Sequence, residues 1–255
     1  MSKSSIPLSF NQIVHPRFYG VHPDFAYVEP FVMALPERFE AGEGEVIYNG
    51  RNQLRKMEFA GRQFVVKSFV RPNIINRVAY GIVRGSKAKR SYLYAQAFLK
   101  MGIGTPHPVA YLDQRNGLLL DRSYYVSLLS ECPYRYADLL EHTVEPMEPV
   151  LRAIGRLTAN IHCHGYALKD YSRGNILFRL LPNGGVELQV IDLNRMYKGF
   201  VGLDRGCKNF CRLPATPQMH RWMAEEYAKA RGFDVETCYE LIVKYRQFDK
   251  KNEIY

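Results

Sequence analysis

No stretch of this sequence is apolar for the roughly 18 residues or more that a membrane-spanning helix needs, so no spanning helix is expected. The opening residues, MSKSSIPLSFNQIVHPRF, lack the unbroken apolar centre of a secretory signal, and a cytoplasmic location is the default expectation. Cysteine is sparse and unpatterned. Cys132, Cys163, Cys207, Cys211 and Cys238 are odd in number and include no C-x-x-C, which argues against a disulfide framework and for reduced thiols. His162-Cys163-His164 with Cys207 and Cys211 matches no common zinc-ligand spacing. Acid is also missing locally: no Asp or Glu stands between Glu58 and Asp113.

That acid-poor region is strongly basic. From Arg51 to Lys100 there are twelve Lys or Arg and one acid, Glu58, so this segment accounts for the whole net charge of +10. Such a patch favours polyanions, among them nucleotide phosphates and anionic lipid headgroups. A solvated basic face without a partner is the alternative. With 255 residues, the chain is long enough for one large or two small domains.

The most informative stretch is HGYALKDYSRGNILFRLLPNGGVELQVIDLNRM, residues 164–196. Ile176–Leu181 is apolar, Pro182-Asn183-Gly184-Gly185 is turn chemistry, and Val186–Ile191 is β-prone. A hairpin on a four-residue turn pairs Ile176 with Ile191 and Asn175 with Asp192. Directly paired side chains lie roughly 5 Å apart. An amide oxygen and a carboxylate side by side suit Mg²⁺ carrying substrate phosphates. Asp170, five residues before Asn175, lies on a loop that returns to the same end. Asp-x4-Asn followed by a hairpin and an apolar-apolar-Asp ending is the layout of a protein-kinase-like core. There the first Asp is the base for the acceptor hydroxyl, and the Asn and later Asp hold metal.

Upstream elements fit that layout. Val46–Tyr48, Gln53–Phe59 and Gln63–Phe69 read as three antiparallel strands, joined at Asn49-Gly50 and Ala60-Gly61-Arg62. Lys67, in V-V-K, takes the place of the phosphate-binding lysine. Gly50 and Arg51, in the first turn, are candidates to cover the phosphates with backbone amides and charge, although the turn has one glycine rather than G-x-G-x-x-G. Residues 86–101 form an amphipathic helix capped by Ser86 and ended by Gly102, burying Tyr92, Ala95, Phe98 and Leu99. A kinase carries a glutamate on this helix to pair with the strand lysine. None is available, which leaves Gln96 as a neutral substitute or another acid, such as Asp192, to hold Lys67.

Residues 1–40, aromatic and rich in proline, read as an extended arm. Strands are expected at Val109–Asp113, Leu118–Leu120 and Tyr124–Leu129, with a linker at Ser130–Tyr134. Helices are expected at Tyr136–His142, Glu148–His162, Gln218–Arg231 and Val235–Gln247, with a basic loop at Tyr197–Arg212 and a frayed C-terminal KKNEIY. The fold class is therefore α+β: a two-lobed protein-kinase-like fold, with an antiparallel-sheet small lobe (residues 1–130) and a mainly helical large lobe (residues 131–255).

V-V-K at 65–67, S-K-A-K-R-S-Y at 86–92, G-I-G-T-P-H-P at 102–108, D-Y-S-R-G-N-I-L at 170–177 and V-I-D-L-N-R at 190–195 resemble the lipopolysaccharide core kinase (Kdo/heptose kinase) family. The resemblance covers roughly Ile47 to Met196. It implies ATP-dependent phosphorylation of an inner-core sugar hydroxyl on a lipid A-linked acceptor, at the cytoplasmic face of a Gram-negative inner membrane. It assigns Asp170 as catalytic base, Asn175 and Asp192 as Mg²⁺ ligands and Lys67 as the phosphate-binding lysine. Arg173 is a further candidate for contacting acceptor or phosphate. Two positions depart from the family: Leu168 replaces the usual His, and the helix lacks its glutamate. A kinase for another acceptor and a nucleotide-binding pseudokinase stay open as alternatives; nucleic acid is disfavoured as a partner.

Overall fold

Three prolines decide the start of the chain. In the computed structural model, which describes residues 17–70, 85–116, 119–141 and 144–252, Pro23, Pro30 and Pro36 each sit in the first turn of a short helix. Proline is tolerated there because its missing N–H has no partner to lose. The expected extended arm is therefore replaced, over its described part, by strand β1 (Arg17–Val21), a 3-10 turn (Pro23–Val28), and helices α1 (Glu29–Met33) and α2 (Leu35–Glu40). Phe25, Val28, Phe31, Val32, Leu35 and Phe39 are buried from this region against the sheet.

The small-lobe sheet has six antiparallel strands in the order β1-β5-β6-β4-β3-β2. Strands β2 (Glu45–Asn49), β3 (Gln53–Phe59) and β4 (Arg62–Phe69) follow the expected ranges closely. Ala60 and Gly61, both at positive φ, form the tight turn between β3 and β4 that matches strand twist. Helix α3 (Lys87–Lys100) is capped by the Ser86 hydroxyl, which accepts from the Lys89 amide at 2.9 Å. Gly102, at φ +69°, ends it. β5 is Pro108–Asn116. β6 runs unbroken from Leu119 to Leu128, so the two short strands expected there are one. Of their interrupting polar residues, Arg122 and Ser123 remain in the ladder opposite Gln114 and Asp113, while Asp121 sits at the register shift between Leu120 and Arg122, because an antiparallel strand absorbs an extra residue as a bulge rather than breaking there. Leu118, with Arg71, Arg77 and Arg84 of the basic segment, lies outside the described residues.

After β6 come β7 (Tyr134–Arg135) and α4 (Tyr136–Leu140). Helix α5 (Met147–Cys163) packs on α7 (Pro217–Arg231), closely enough that a Cβ on Gly155 would come within 2.5 Å of the Met223 carbonyl. Strands β8 (Tyr166–Leu168), β9 (Ile176–Leu180), β10 (Val186–Val190) and β11 (Met196–Lys198) carry the site. The basic loop after Met196 contains β11, α6 (Leu203–Lys208) and a 3-10 turn at Asn209–Arg212. Helix α8 (Val235–Asn252) continues into the expected frayed end, and the last three residues lie outside the described set. Buried side chains form two clusters, one for each lobe. Phe98 of α3 and Ile103 belong to the large-lobe cluster, and the Val190 amide donates to the Gly104 carbonyl at 2.9 Å, which docks the α3–β5 loop on the β9–β10 hairpin.

Candidate active site

The hairpin that anchors the site forms with a register one residue different from expectation. Ile176 pairs with Val190, not Ile191, and the Ile191 amide donates to the Asn175 carbonyl at 3.0 Å. The cause is the turn. The Gly184 amide donates to the Leu181 carbonyl, the Leu181 amide donates to the Gly185 carbonyl, and Gly184 is left-handed at φ +78°. Leu181 is thereby drawn into a five-residue loop. Asn175 thus lies opposite Ile191, next to Asp192 rather than across from it.

Asp192 follows with an unusual backbone. At φ +61° it occupies the left-handed region, sparsely used by non-glycine residues but most accessible to Asp and Asn. Its Oδ1 lies 2.7 Å from the Lys67 Nζ, linking β4 of the small lobe to the end of the large-lobe hairpin. The Asn194 side-chain amide, buried, donates to the same Asp192 oxygen. The Asn194 carbonyl in turn accepts from Arg90 Nε of α3 at 3.1 Å. The helix without a glutamate therefore reaches the site through an arginine, and Asp192 supplies the carboxylate that meets Lys67. Gln96 takes no part: its amide donates to the Tyr92 hydroxyl at 3.0 Å.

Asp170 sits on a loop fixed from three directions. The buried Tyr171 hydroxyl is 2.8 Å from the Thr158 hydroxyl on α5. Asn209 Nδ2 donates to the Leu168 carbonyl at 2.7 Å, while its Oδ1 lies 3.0 Å from His162 Nε2. His162, one of the residues weighed for zinc, is thus a buried strut between α5, Asn209 and the Tyr227 hydroxyl, and burial pushes its pKa down to about 4. Leu168 is buried. Asn175 Nδ2 donates to the Asp170 carbonyl at 2.8 Å, which leaves the Asn175 amide oxygen as the acceptor end of that side chain.

The Asp170 carboxylate meets two guanidiniums that the motif does not foretell. Arg195 lies 3.1 Å from Oδ2 and Arg212 lies 3.1 Å from Oδ1. Both arginines are more than half exposed. Arg173 is exposed, on the turn between Asp170 and Asn175. Gly50 and Arg51 are exposed in the turn between β2 and β3, and Arg51 is close enough to Lys87 to repel its charge. Burial, then the charges of Arg51 and Arg90, lower the Lys87 pKa below the usual lysine range, with Asp192 acting the other way. Arg51, Arg90, Arg195 and Asp192 thus all act on Lys87, while Lys67 pairs with the same Asp192 and Arg195 with Asp170. An excess of cations over anions in a partly buried place is what a phosphate chain would neutralise. Lys87, Asn194 and Arg212 were not singled out in the sequence; the S-K-A-K-R run was the available signal for Lys87, and Asp-x-Asn for Asn194.

A six-stranded sheet, a helix docked behind it, and an Asp-x4-Asn loop with a later Asp against a strand lysine make this fold protein-kinase-like. No protein-family model matches the chain, and no curated protein matches its sequence. Among solved structures, WaaP in complex with acyl carrier protein superposes with a TM-score of 0.63 at 16% identity, covering 92% of this chain and 98% of that one. WbdD, described as a bifunctional kinase-methyltransferase, gives 0.45 at 15% identity over 77% of this chain and 43% of that one. The fold assignment rests on WaaP.

Proposed function

We propose that this protein is an ATP-dependent phosphotransferase acting on an inner-core sugar hydroxyl, Kdo or heptose, of a lipid A-linked lipopolysaccharide precursor. The single observation that carries the reading is Lys67 held by Asp192 at 2.7 Å, beside the loop that presents Asp170 and Asn175. We place the lobe boundary at residue 130, in the linker between β6 and β7. Asn175 and Asp192 offer the oxygen donors that Mg²⁺ prefers, one amide oxygen and one carboxylate, so the residues present fit that ion. When bound, the ion would neutralise charge on the phosphate oxygens during transfer.

The protein's own part is positioning and proton handling. Lys67 and Lys87 meet phosphate oxygens from two elements, strand and helix. Arg51 and Gly50, in the β2–β3 turn, cover them from the other side. Asp170 accepts the proton of the acceptor hydroxyl as the new bond forms, within hydrogen-bond reach of that oxygen. Arg195 and Arg212, which hold the Asp170 carboxylate from both sides, keep it in one orientation and face the acceptor with positive charge. The basic segment gives the same protein an affinity for an anionic membrane surface, from which a lipid-linked acceptor is reached.

A pseudokinase is the second reading, motivated by the absent helix glutamate. Against it stands the carboxylate–lysine contact, which is made without that glutamate. The deciding experiment is transfer of γ-labelled phosphate from Mg²⁺-ATP to Kdo-lipid A precursor, with Asp170→Asn as control. Label in the lipid, lost in the variant, supports the proposal. Saturable ATP binding with no label in the lipid overturns it for that acceptor, and favours another acceptor or the pseudokinase.

A further inference from the structure

His22 and His107 are distant in sequence and adjacent in space. The pairing of β1 with β5 causes this: Val21 pairs with Ala110, and the His22 amide donates to the Val109 carbonyl at 2.8 Å. The two imidazoles meet edge to face, their centroids 4.9 Å apart. Asp24 adds a carboxylate whose Oδ2 lies 3.6 Å from His22 Nδ1. One ligand atom from each of the three residues lies within 4.8 Å of the other two.

The cluster is built on constrained backbone. Pro23 follows His22, and Pro106 and Pro108 flank His107. The His107 carbonyl accepts from the Leu128 amide at 2.9 Å, which fixes it to the last residue of β6. His107 Nδ1 lies 3.2 Å from the Pro108 carbonyl. A ring N–H given to a backbone carbonyl sets the tautomer and leaves Nε2 as the lone-pair nitrogen, the arrangement that metal-ligating histidines use. The buried Phe25 ring lies against both imidazoles, at 6.1 Å from His22 and 5.2 Å from His107, and shields one side from water.

We propose that His22, Asp24 and His107 bind a divalent transition-metal ion of the zinc class. Two imidazoles and one carboxylate suit Zn²⁺, and disfavour Mg²⁺, which prefers oxygen alone. Zinc–ligand bonds of about 2.0–2.1 Å give tetrahedral edges of about 3.4 Å, so the cluster contracts by rotation of its side chains. The exposed Asp24 has that freedom. Three protein ligands leave the fourth position to water. The site lies at the edge strand β1, three places in the sheet from β4, which carries Lys67. Its ion would therefore tie β1 to the entry of β5 and to the end of β6, stabilising the small lobe without entering the transfer chemistry.

The test uses the full chain, freed of metal, titrated with Zn²⁺ against a chromogenic chelator and with Co²⁺ as a spectroscopic substitute. The variants are His22→Gln, His107→Gln and Asp24→Asn, each checked for folding by circular dichroism. The expected result is one equivalent of Zn²⁺, not displaced by Mg²⁺, with affinity about tenfold weaker or worse in each variant. Co²⁺ should show ligand-field bands without a thiolate charge-transfer band, and Zn²⁺ should raise the thermal midpoint of the parent protein but not of Asp24→Asn. No binding, a thiolate band, or affinity unchanged in Asp24→Asn would each overturn the site. Because Asp24 is exposed, that variant keeps the test valid even where a histidine variant fails to fold.

Discussion

Replacing Asp113 by Asn should make the protein more stable at about pH 8, by an amount that grows with pH through the weakly acidic range. Asp113 is 1% exposed on β5, and one of its carboxylate oxygens has no hydrogen-bond partner among the described residues. Burial raises its pKa to about 6, although the Ser86 hydroxyl, Arg115 and Lys89 act in the opposite direction. Below the unfolded value of 3.8 the carboxyl is protonated in both states and costs nothing. Between 3.8 and about 6 the unfolded chain ionises first, so folding loses stability as pH rises. Above about 6 the penalty is complete, and a shift of about two units corresponds to about 3 kcal/mol. Asn keeps an oxygen for Ser86 and carries no charge, so Asp113→Asn should gain about 1–3 kcal/mol at high pH. Urea denaturation of both proteins at several pH values between about 4 and 8 measures this as a difference that widens with pH. A difference independent of pH would refute the reasoning, whatever its sign, because it would mean that the buried carboxyl titrates normally. Ser86, whose hydrogen bond acts to lower the Asp113 pKa, also caps α3, the helix that carries Lys87 and Arg90.

Three further outcomes follow from the site and its supports, the first two of them on the proposed phosphotransferase reading. Asn194→Ala removes the donor that holds Asp192, and phosphate transfer should fall by about 10- to 100-fold in kcat, as read by steady-state assay with the lipid acceptor. An unchanged kcat would show that Lys67 alone positions Asp192. Arg212→Ala leaves Asp170 with Arg195 as its partner, and should raise the acceptor KM by about tenfold with the ATP KM unmoved; a rise in the ATP KM instead would assign Arg212 to the nucleotide. Gly104→Ala brings a Cβ within 2.0 Å of the Leu188 carbonyl, where the α3–β5 loop docks on the hairpin, and should lower stability by about 1–3 kcal/mol in chemical denaturation. Parent-like stability would mean that this joint opens without cost.

Much of the fold follows from signals a few residues long. Asn49-Gly50 and Ala60-Gly61 set the β2–β3 and β3–β4 turns, Ser86 and Gly102 bracket α3, and the Asp-x4-Asn loop with Asp192 marks the site, because turn dihedrals and helix caps are local properties of the residues that form them. Proline was the local signal that misled: in residues 17–40 it starts helices, and whether such a segment is helical depends on the sheet it covers. The hairpin register also turned on one residue, since a left-handed Gly184 admits a five-residue loop as readily as a four-residue one. The partners of the site residues lay beyond any local reading. Arg212 reaches Asp170 from 42 positions away, Arg90 reaches Asn194 from 104, and His22 meets His107 only because β1 adds to the edge of β5. The sequence by itself determined the β2–β4 strands, helix α3 and the β9–β10 hairpin, and which residues are candidates for the proposed phosphate and metal contacts. Only the tertiary structure decided which of them meet, because contacts between distant segments are selected by the packing of whole faces, and no short stretch of chain records that choice.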